Sequence, residues 1–366
     1  MSRYGKVDKD EEPLIEFAPT IPQSQSVIPL SEYWISHCAR YHCCRIQARA
    51  LRATRSKRAL YDLLSPVCRV PKVFQGIKEA RGFAKAGGEV VVKPDGLFSG
   101  YGVKVVGEGN LCDLESHIHS ASHVFNHATR LFGVQSSDVL LCERLGGVEC
   151  SADAFVWRGE AHVVRVCRKV VAAVHETPCT LVYQLIPPSE QVVRSIKLWC
   201  SVLFGADDVS FAQFDFIETA QDCLVPIDFG ARVGGGIVPL LRTYYEAAAV
   251  NVWAQAIRSA AGDEAAQVEA HEGLFWTQFN CLSCKSGRLC RDDLPLPEGK
   301  QFIFKRVGEF TPRCPSSAQS VVAAAVSPHG WPVDKGTLDS LLLGEEYIAS
   351  WRDDSQLARR AHHLPV

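Results

Sequence analysis

"VVVKPDGLFSGYGVKVV", residues 90–106, decides the reading of the fold. A run of valines is followed by Lys93 and Pro94, then by a loop of small residues, then by a second β-branched run. β-Branched runs on either side of a glycine-rich loop read as strand, loop, strand. The loop carries Gly96, Ser99, Gly100 and Gly102. Glycines let backbone N–H groups come close to a ligand, and the Ser99 hydroxyl adds a further donor. Lys93 puts a point charge at the end of the first strand, which suits a polyphosphate. The stretch is not a Walker A loop, because it holds no G-x-x-x-x-G-K-[ST]. It is not a dinucleotide fingerprint either, since a strand follows the loop where that motif needs a helix.

The rest of the chain is ordinary in bulk. Its 366 residues, 47% hydrophobic and 22% charged, suffice for two or three lobes with a sizeable core. A formal net charge of −2 argues against a general nucleic-acid or anionic-membrane binder, so neither partner is expected. The basic stretch "RIQARALRATRSKR" (45–58) reads as a solvated helix face. No apolar run is long enough to span a membrane, and the first residues have no apolar leader region. The cytoplasm is therefore the expected location. Fifteen cysteines, many inside apolar strands, read as buried reduced thiols that pack as small hydrophobes. Two clusters invite a metal reading. Cys281 and Cys284 have C-x2-C spacing, with Cys290 and Cys314 beyond, but the second pair lacks matching spacing. His119, His123 and His127 share a helical face, which reads as solvated or partly packed.

Along the chain, residues 1–30 are polar, with four prolines, and are expected to be disordered or extended. Residues 31–64 show helical spacing, "CRVPKVFQ" (68–75) reads as a short strand, and 76–87 read as a helix ending at Gly87-Gly88. After the opening motif come a helix at 112–132 and a strand at 138–145. A hairpin at 148–172 turns at Arg158-Gly159, and a helix follows at 188–204. Two strands at 209–236 turn at Gln221-Asp222, a strong helix covers 238–262, and strands and turns fill the remainder from about 270. Hairpins separated by helices indicate an α+β fold and not a doubly wound sheet.

Charged residues then fall at strand ends. Glu143 ends an apolar strand and Glu149 follows it; acids there can hydrogen-bond a ribose or an adenine amino group. Asp215 and Asp228 lie on consecutive strands, and a tight turn sets them side by side. Two adjacent carboxylates need a cation, and magnesium, which shares oxygen ligands with phosphates, is the natural one. Arg232 follows at a position able to hold a carboxylate or acyl-phosphate oxygen.

In this order, from "TRSKRALYDLL" (54–64) to "IDFGARVGGG" (227–236), the chain resembles the ATP-grasp superfamily of ligases over about half its length. The resemblance implies two α+β lobes sandwiching ATP, with a shortened N-terminal lobe. The chain divides accordingly into 1–30, a reduced N-terminal region 31–75, an ATP-grasp domain 76–262, and a C-terminal strand-and-turn region 263–366 packed on the core. By resemblance, Lys57 and Lys93 contact the α- and β-phosphates, and the loop with Gly96, Ser99, Gly100 and Gly102 covers them. Glu143, Arg144 and Leu145 begin the hinge that meets adenine, and Glu149 binds the ribose. Asp215 and Asp228 hold magnesium, with manganese as an alternative ion, and Arg232 steadies an acyl-phosphate. Asp153 reads as structural, and Arg168 and Lys169 as groups able to face phosphates. Gly230 stands where the family has a metal-binding Asn, and Asp228 where it has Glu.

"GARVGGG" is similar to the branch that joins amino acids. The implied activity is ADP-forming ligation of a small-molecule carboxylate and an amine, with amino acids as the expected substrates and ATP and Mg2+ as cofactors. The family is often dimeric, so a homodimer is among the expected partners. Gly230 and the short N-terminus support an alternative, a nucleotide-binding or scaffold module without turnover.

Overall fold

The computed structural model describes residue 35 and residues 48–97, 100, 102–122, 138–174, 177–220, 223–236, 238–248, 276–312, 320–328 and 333–349. The expectation for residues 1–30 lies outside them. Two helices come first, α1 (Ala48–Arg55) and α2 (Lys57–Leu64). The sequence reads as one helix here, but Ser56 breaks it. Its backbone is extended (φ −150°, ψ 116°), and its hydroxyl accepts from the Ala59 N–H. Serine competes with the helix through this local bond, which is why it ends one helix and caps the next.

Helix α3 (Ile77–Lys85) buries Ala80 and Ala84 against a small antiparallel sheet of order β2–β1–β3. Its strands are β1 (Val90–Pro94), β2 (Lys104–Val106) and β3 (Val139–Glu143). The expected strand at 68–75 is instead an irregular segment joined by a single bridge, Val73 to Cys142. Pro71 has no N–H to give a ladder there. A 3-10 turn, Glu108–Asp113, precedes a helical stretch at 114–122, and the rest of the helix expected to 132 lies outside the described residues.

The main body is a nine-stranded sheet with the path β11–β13–β9–β6–β5–β4–β7–β8, with β14 beside β9. Its centre comprises β4 (Val148–Trp157), β5 (Glu160–Val174), β6 (Thr177–Ile186), β7 (Val209–Glu218) and β8 (Leu224–Gly230). Strand β6 escapes the sequence reading, because Pro178 sits near its start and Leu181-Val182-Tyr183 in its middle break the alternation of apolar and polar residues. Helix α4 (Glu190–Leu203), capped by Ser189, joins α1 and α2 on one face of this sheet. There Trp199 meets Phe214 and Phe216 at centroid distances of 5.3 and 5.9 Å. Helix α5 (Val238–Ala248) lies on the other face, with Leu240 and Leu241 against Cys167 and Val326.

Beyond 270 the strands are not merely attached. β9 (Thr277–Ser283) pairs with β6, and β13 (Val321–Ser327) and β11 (Lys300–Ile303) extend the same sheet. The short strands β10 (Gly287–Leu289), β12 (Phe310–Thr311) and β15 (Ile348–Ala349) form a third sheet. Helix α6 (Lys335–Ser340) leads into β14 (Leu342–Leu343). Among the described residues, no helix is long and apolar enough to cross a membrane.

Candidate active site

Period-two alternation puts a polar row on the face of the large sheet away from α4. Register places Ser151 opposite Asp215, Asp153 opposite Gln213, and Asp215 opposite Asp228. The turn expected at Gln221-Asp222 lies outside the described residues, but Thr219 N–H to Cys223 C=O closes the hairpin at 3.0 Å. The two acids are thus side by side, with a register shift immediately after Asp215.

Each acid meets a buried lysine. Lys169 of β5 reaches Asp215 Oδ1 at 2.8 Å and Glu149 Oε1 at 2.9 Å. Burial opposes its charge, but the Asp215 and Glu149 carboxylates outweigh burial and hold the ammonium well above the ordinary lysine pKa. Lys57, at the start of α2, reaches Asp228 Oδ1 at 3.1 Å and donates to the Leu97 carbonyl.

Asp95, which directly follows the Lys-Pro pair, positions Lys57. Its carboxylate accepts from the Lys57 N–H at 2.5 Å, the Arg58 N–H at 3.2 Å and the Ser56 hydroxyl at 2.7 Å. A carboxylate on the first N–H groups of a helix satisfies orphan donors and complements the helix dipole. One side chain therefore ties the glycine loop to the helix that carries Lys57.

Lys93 lies nearly buried on β1. Its Nζ donates to the Tyr61 hydroxyl at 2.6 Å and stands 3.4 Å from the Ile227 carbonyl of β8. The Tyr61 hydroxyl in turn donates to Ile227 C=O at 2.8 Å. Burial first, and negative neighbours including Asp228 and Asp95 after it, push the Tyr61 pKa well above the ordinary phenol value, so it stays neutral. In the loop, Gly96, Gly100 and Gly102 take φ of 92°, 73° and 68°, the left-handed region that favours glycine. Ser99 lies outside the described residues.

The Gln213 amide links the two ends of the row. Its Nε2 donates to Asp215 Oδ1 at 2.7 Å, and its Oε1 accepts from Arg232 Nη1 at 3.1 Å. Gly230 is directly opposite Gln213, and a Cβ there would stand 3.4 Å from Arg232 Cγ and Cζ. The arginine side chain thus packs over the position where the resemblance implies an asparagine. The buried Asp153–Arg165 pair fixes the Gly234 backbone that follows Arg232. Arg165 Nε donates to Asp153 Oδ2 at 2.5 Å, and the Gly234 N–H donates to Asp153 Oδ1 at 3.0 Å. Burial opposes the Arg165 charge, but the Asp153 carboxylate outweighs it and keeps the guanidinium above its ordinary pKa.

The hinge residues stand at the far end of β3. The Glu143 carboxylate turns to the 69–72 segment, accepting from the Lys72 N–H at 3.0 Å. Arg144 pairs with Glu89 through both carboxylate oxygens at 3.0 and 2.9 Å, and its N–H donates to the Glu89 carbonyl. Leu145 is half-buried beside them.

The structure therefore brings together Lys57, Lys93, Glu149, Asp215, Asp228 and Arg232, while Glu143, Arg144 and Leu145 flank them on the small sheet. Tyr61, Asp95, Gln213 and Arg165 escape the sequence reading. Their signals were available: an acid after Lys-Pro, a polar residue two before Asp215 on the same face, and a charge inside an apolar strand. Two opposed carboxylates suit a hard divalent cation that completes its shell with phosphate and water oxygens. Among the described residues no cluster of three or more His, Cys, Asp or Glu side chains has metal-binding geometry. Cys281 is fully buried, and burial pushes its thiol up to about 12, while Cys314, His123 and His127 lie outside the described residues.

No family model matches the chain, and no curated protein matches it. Solved structures do. An L-amino acid ligase from Bacillus licheniformis aligns at TM-score 0.54 and 13% identity, over 90% of this chain and 75% of that one. A phosphoribosylamine–glycine ligase from Thermotoga maritima aligns at 0.53 and 17%, over 84% and 79%. A biotin carboxylase from Campylobacter jejuni, solved with a β-γ-ATP ligand, aligns at 0.52 and 15%, over 81% and 67%. At these identities the likeness shows the fold.

Proposed function

We propose, from the ATP-grasp fold that this chain has, that it is an ADP-forming carboxylate–amine ligase that joins amino acids through an acyl-phosphate. The observation that carries this reading is the convergence of two elements on one point. Lys57 and Lys93 come from the side of the glycine loop, and the opposed Asp215 and Asp228 come from the large sheet, with Lys57 Nζ 3.1 Å from Asp228.

In this reading ATP lies between the small and large sheets. Lys57 and Lys93 hold its phosphates, the loop with Gly96, Gly100 and Gly102 covers them, and Glu149 takes the ribose. Glu143, Arg144 and Leu145 border the adenine. Asp215 and Asp228 would hold magnesium, which when bound supplies neutralisation of phosphate charge. A carboxylate oxygen of the first substrate attacks the γ-phosphorus, and the bond to the β-phosphate oxygen breaks to release ADP. The amine of the second substrate attacks the acyl carbon, the C–O bond breaks, phosphate leaves, and the nitrogen loses a proton. Lys57, Lys93 and Arg232 stabilise negative charge on the transferring oxygens, in a site whose dipoles are already oriented by Asp95 and Gln213. Closure of the glycine loop excludes water and protects the acyl-phosphate from hydrolysis.

The test follows an oxygen atom. With a carboxylate substrate labelled at both oxygens with the heavy isotope, one label should appear in the released phosphate. Unlabelled phosphate from a turning-over enzyme would rule out the acyl-phosphate. Gly230, with Arg232 packed over it, favours a second reading, a nucleotide-binding module without turnover; it predicts ATP binding with no ADP formed.

A further inference from the structure

The face of the sheet opposite Lys169 carries polar groups that the ligase chemistry does not use. Arg168 lies on β5, one residue before Lys169. Register sets it opposite Gln184 of β6, Gln184 opposite Thr277 of β9, and Thr277 opposite Ser327 of β13. Directly opposed residues point to the same side, so the four form one transverse row. The row runs between two apolar clusters. Val166 and Ile186, one step along the strands, pack with α4, whereas Val170, Val182 and Phe279, one step the other way, pack with the C-terminal strands.

The middle of the row is buried, Arg168 and Ser327 at its ends are half-buried, and two of its polar atoms lack a partner among the described residues. Gln184 is 4% exposed and Thr277 0% exposed. Among the described residues the Thr277 hydroxyl has no hydrogen-bond partner, and neither has the buried Nε of Arg168. Arg168 makes no ion pair among the described residues; Glu218 is on the same face two strands away. Buried polar groups in native proteins are almost always paired, and a guanidinium brings a charge as well as donors. The two unpartnered groups, the Arg168 Nε–H and the Thr277 hydroxyl, are both donors, with Gln184 between them in the row.

We propose that this row is a binding site for a small oxyanion, a carboxylate or phosphate group, held by Arg168 and completed by Gln184 and Thr277. Adjacent strands are about 4.8 Å apart, so Arg168 and Thr277 backbones are separated by about 10 Å. An anion lying over Gln184 is within reach of the long Arg168 side chain and of the Thr277 hydroxyl. The proposal is independent of ligase activity.

Thermal unfolding of the full chain tests it, with inorganic phosphate and succinate as separate probes and sodium chloride as the ionic-strength control. At about ten times the dissociation constant, the bound anion should raise Tm by about 2 °C. The rise should persist in Lys93→Ala, which alters the proposed nucleotide site beside the small sheet, vanish in Arg168→Gln, and diminish in Thr277→Val. The larger response identifies phosphate or carboxylate as the preferred group. No response beyond chloride would overturn the proposal. So would a response unchanged in both row variants, or one lost only in Lys93→Ala. Should Arg168→Gln fail to fold, the isosteric Thr277→Val comparison decides.

Discussion

Replacing Asp95 by alanine should weaken the fold and the nucleotide site together. Asp95 is 3% exposed, and its carboxylate accepts from two backbone N–H groups at the start of α2 and from the Ser56 hydroxyl. Losing a helix cap costs about 1 kcal/mol, and leaving a buried donor without its charged acceptor costs about 1–3 kcal/mol more. Because Ser56 still caps Ala59, a total of about 3 kcal/mol is expected. At about 2.1 cal/mol/K of unfolding entropy per residue, this lowers Tm by about 4 °C. The same bonds fix the Lys57 ammonium near Asp228. Their loss should reduce MgATP affinity about tenfold or more, the worth of one charge-assisted contact. Differential scanning calorimetry and isothermal titration read the two effects. Asp95→Asn keeps one acceptor oxygen and should fall between. An Asp95→Ala protein within about 1 °C of the parent, binding MgATP equally well, would refute the tether.

Asp153→Ala leaves the Arg165 charge buried without its partner and should cost about 3–5 kcal/mol in urea unfolding. Gly234→Ala puts a methyl group 2.6 Å from Arg165 Nη2, which its own ion pair holds in place; a loss of about 1–3 kcal/mol is expected in the same assay. Lys169 has a folded pKa above its unfolded value, so its contribution is complete below the unfolded pKa and is lost only as pH rises through the folded one. The stability difference between the parent and Lys169→Met should therefore be equal at about pH 7 and about pH 9. A difference that shrinks toward the higher pH would show that Lys169 titrates near neutrality.

The lysine-bearing strand and its loop were legible because glycine, proline and β-branched residues act locally. Asp215 and Asp228 were legible because a tight hairpin imposes their pairing. The partners of the charges were not. That Lys169 joins Glu149 to Asp215, or that Gln213 joins Asp215 to Arg232, depends on the registers of β4, β5, β7 and β8 together, which no single segment encodes. Strand β6 was hidden by a different cause: its apolar middle offers no alternation, and Pro178 signals a break. The C-terminal strands β9 and β13 looked peripheral because their place in the main sheet is a long-range pairing with β6.

The measurement closest to the central claim is nucleotide turnover with magnesium, against amino acids supplied singly and in pairs, with ADP separated from AMP. The account predicts ADP and phosphate with particular pairs, and none in Lys93→Ala. AMP as the product, or ATP bound by calorimetry with no turnover for any pair, would contradict it.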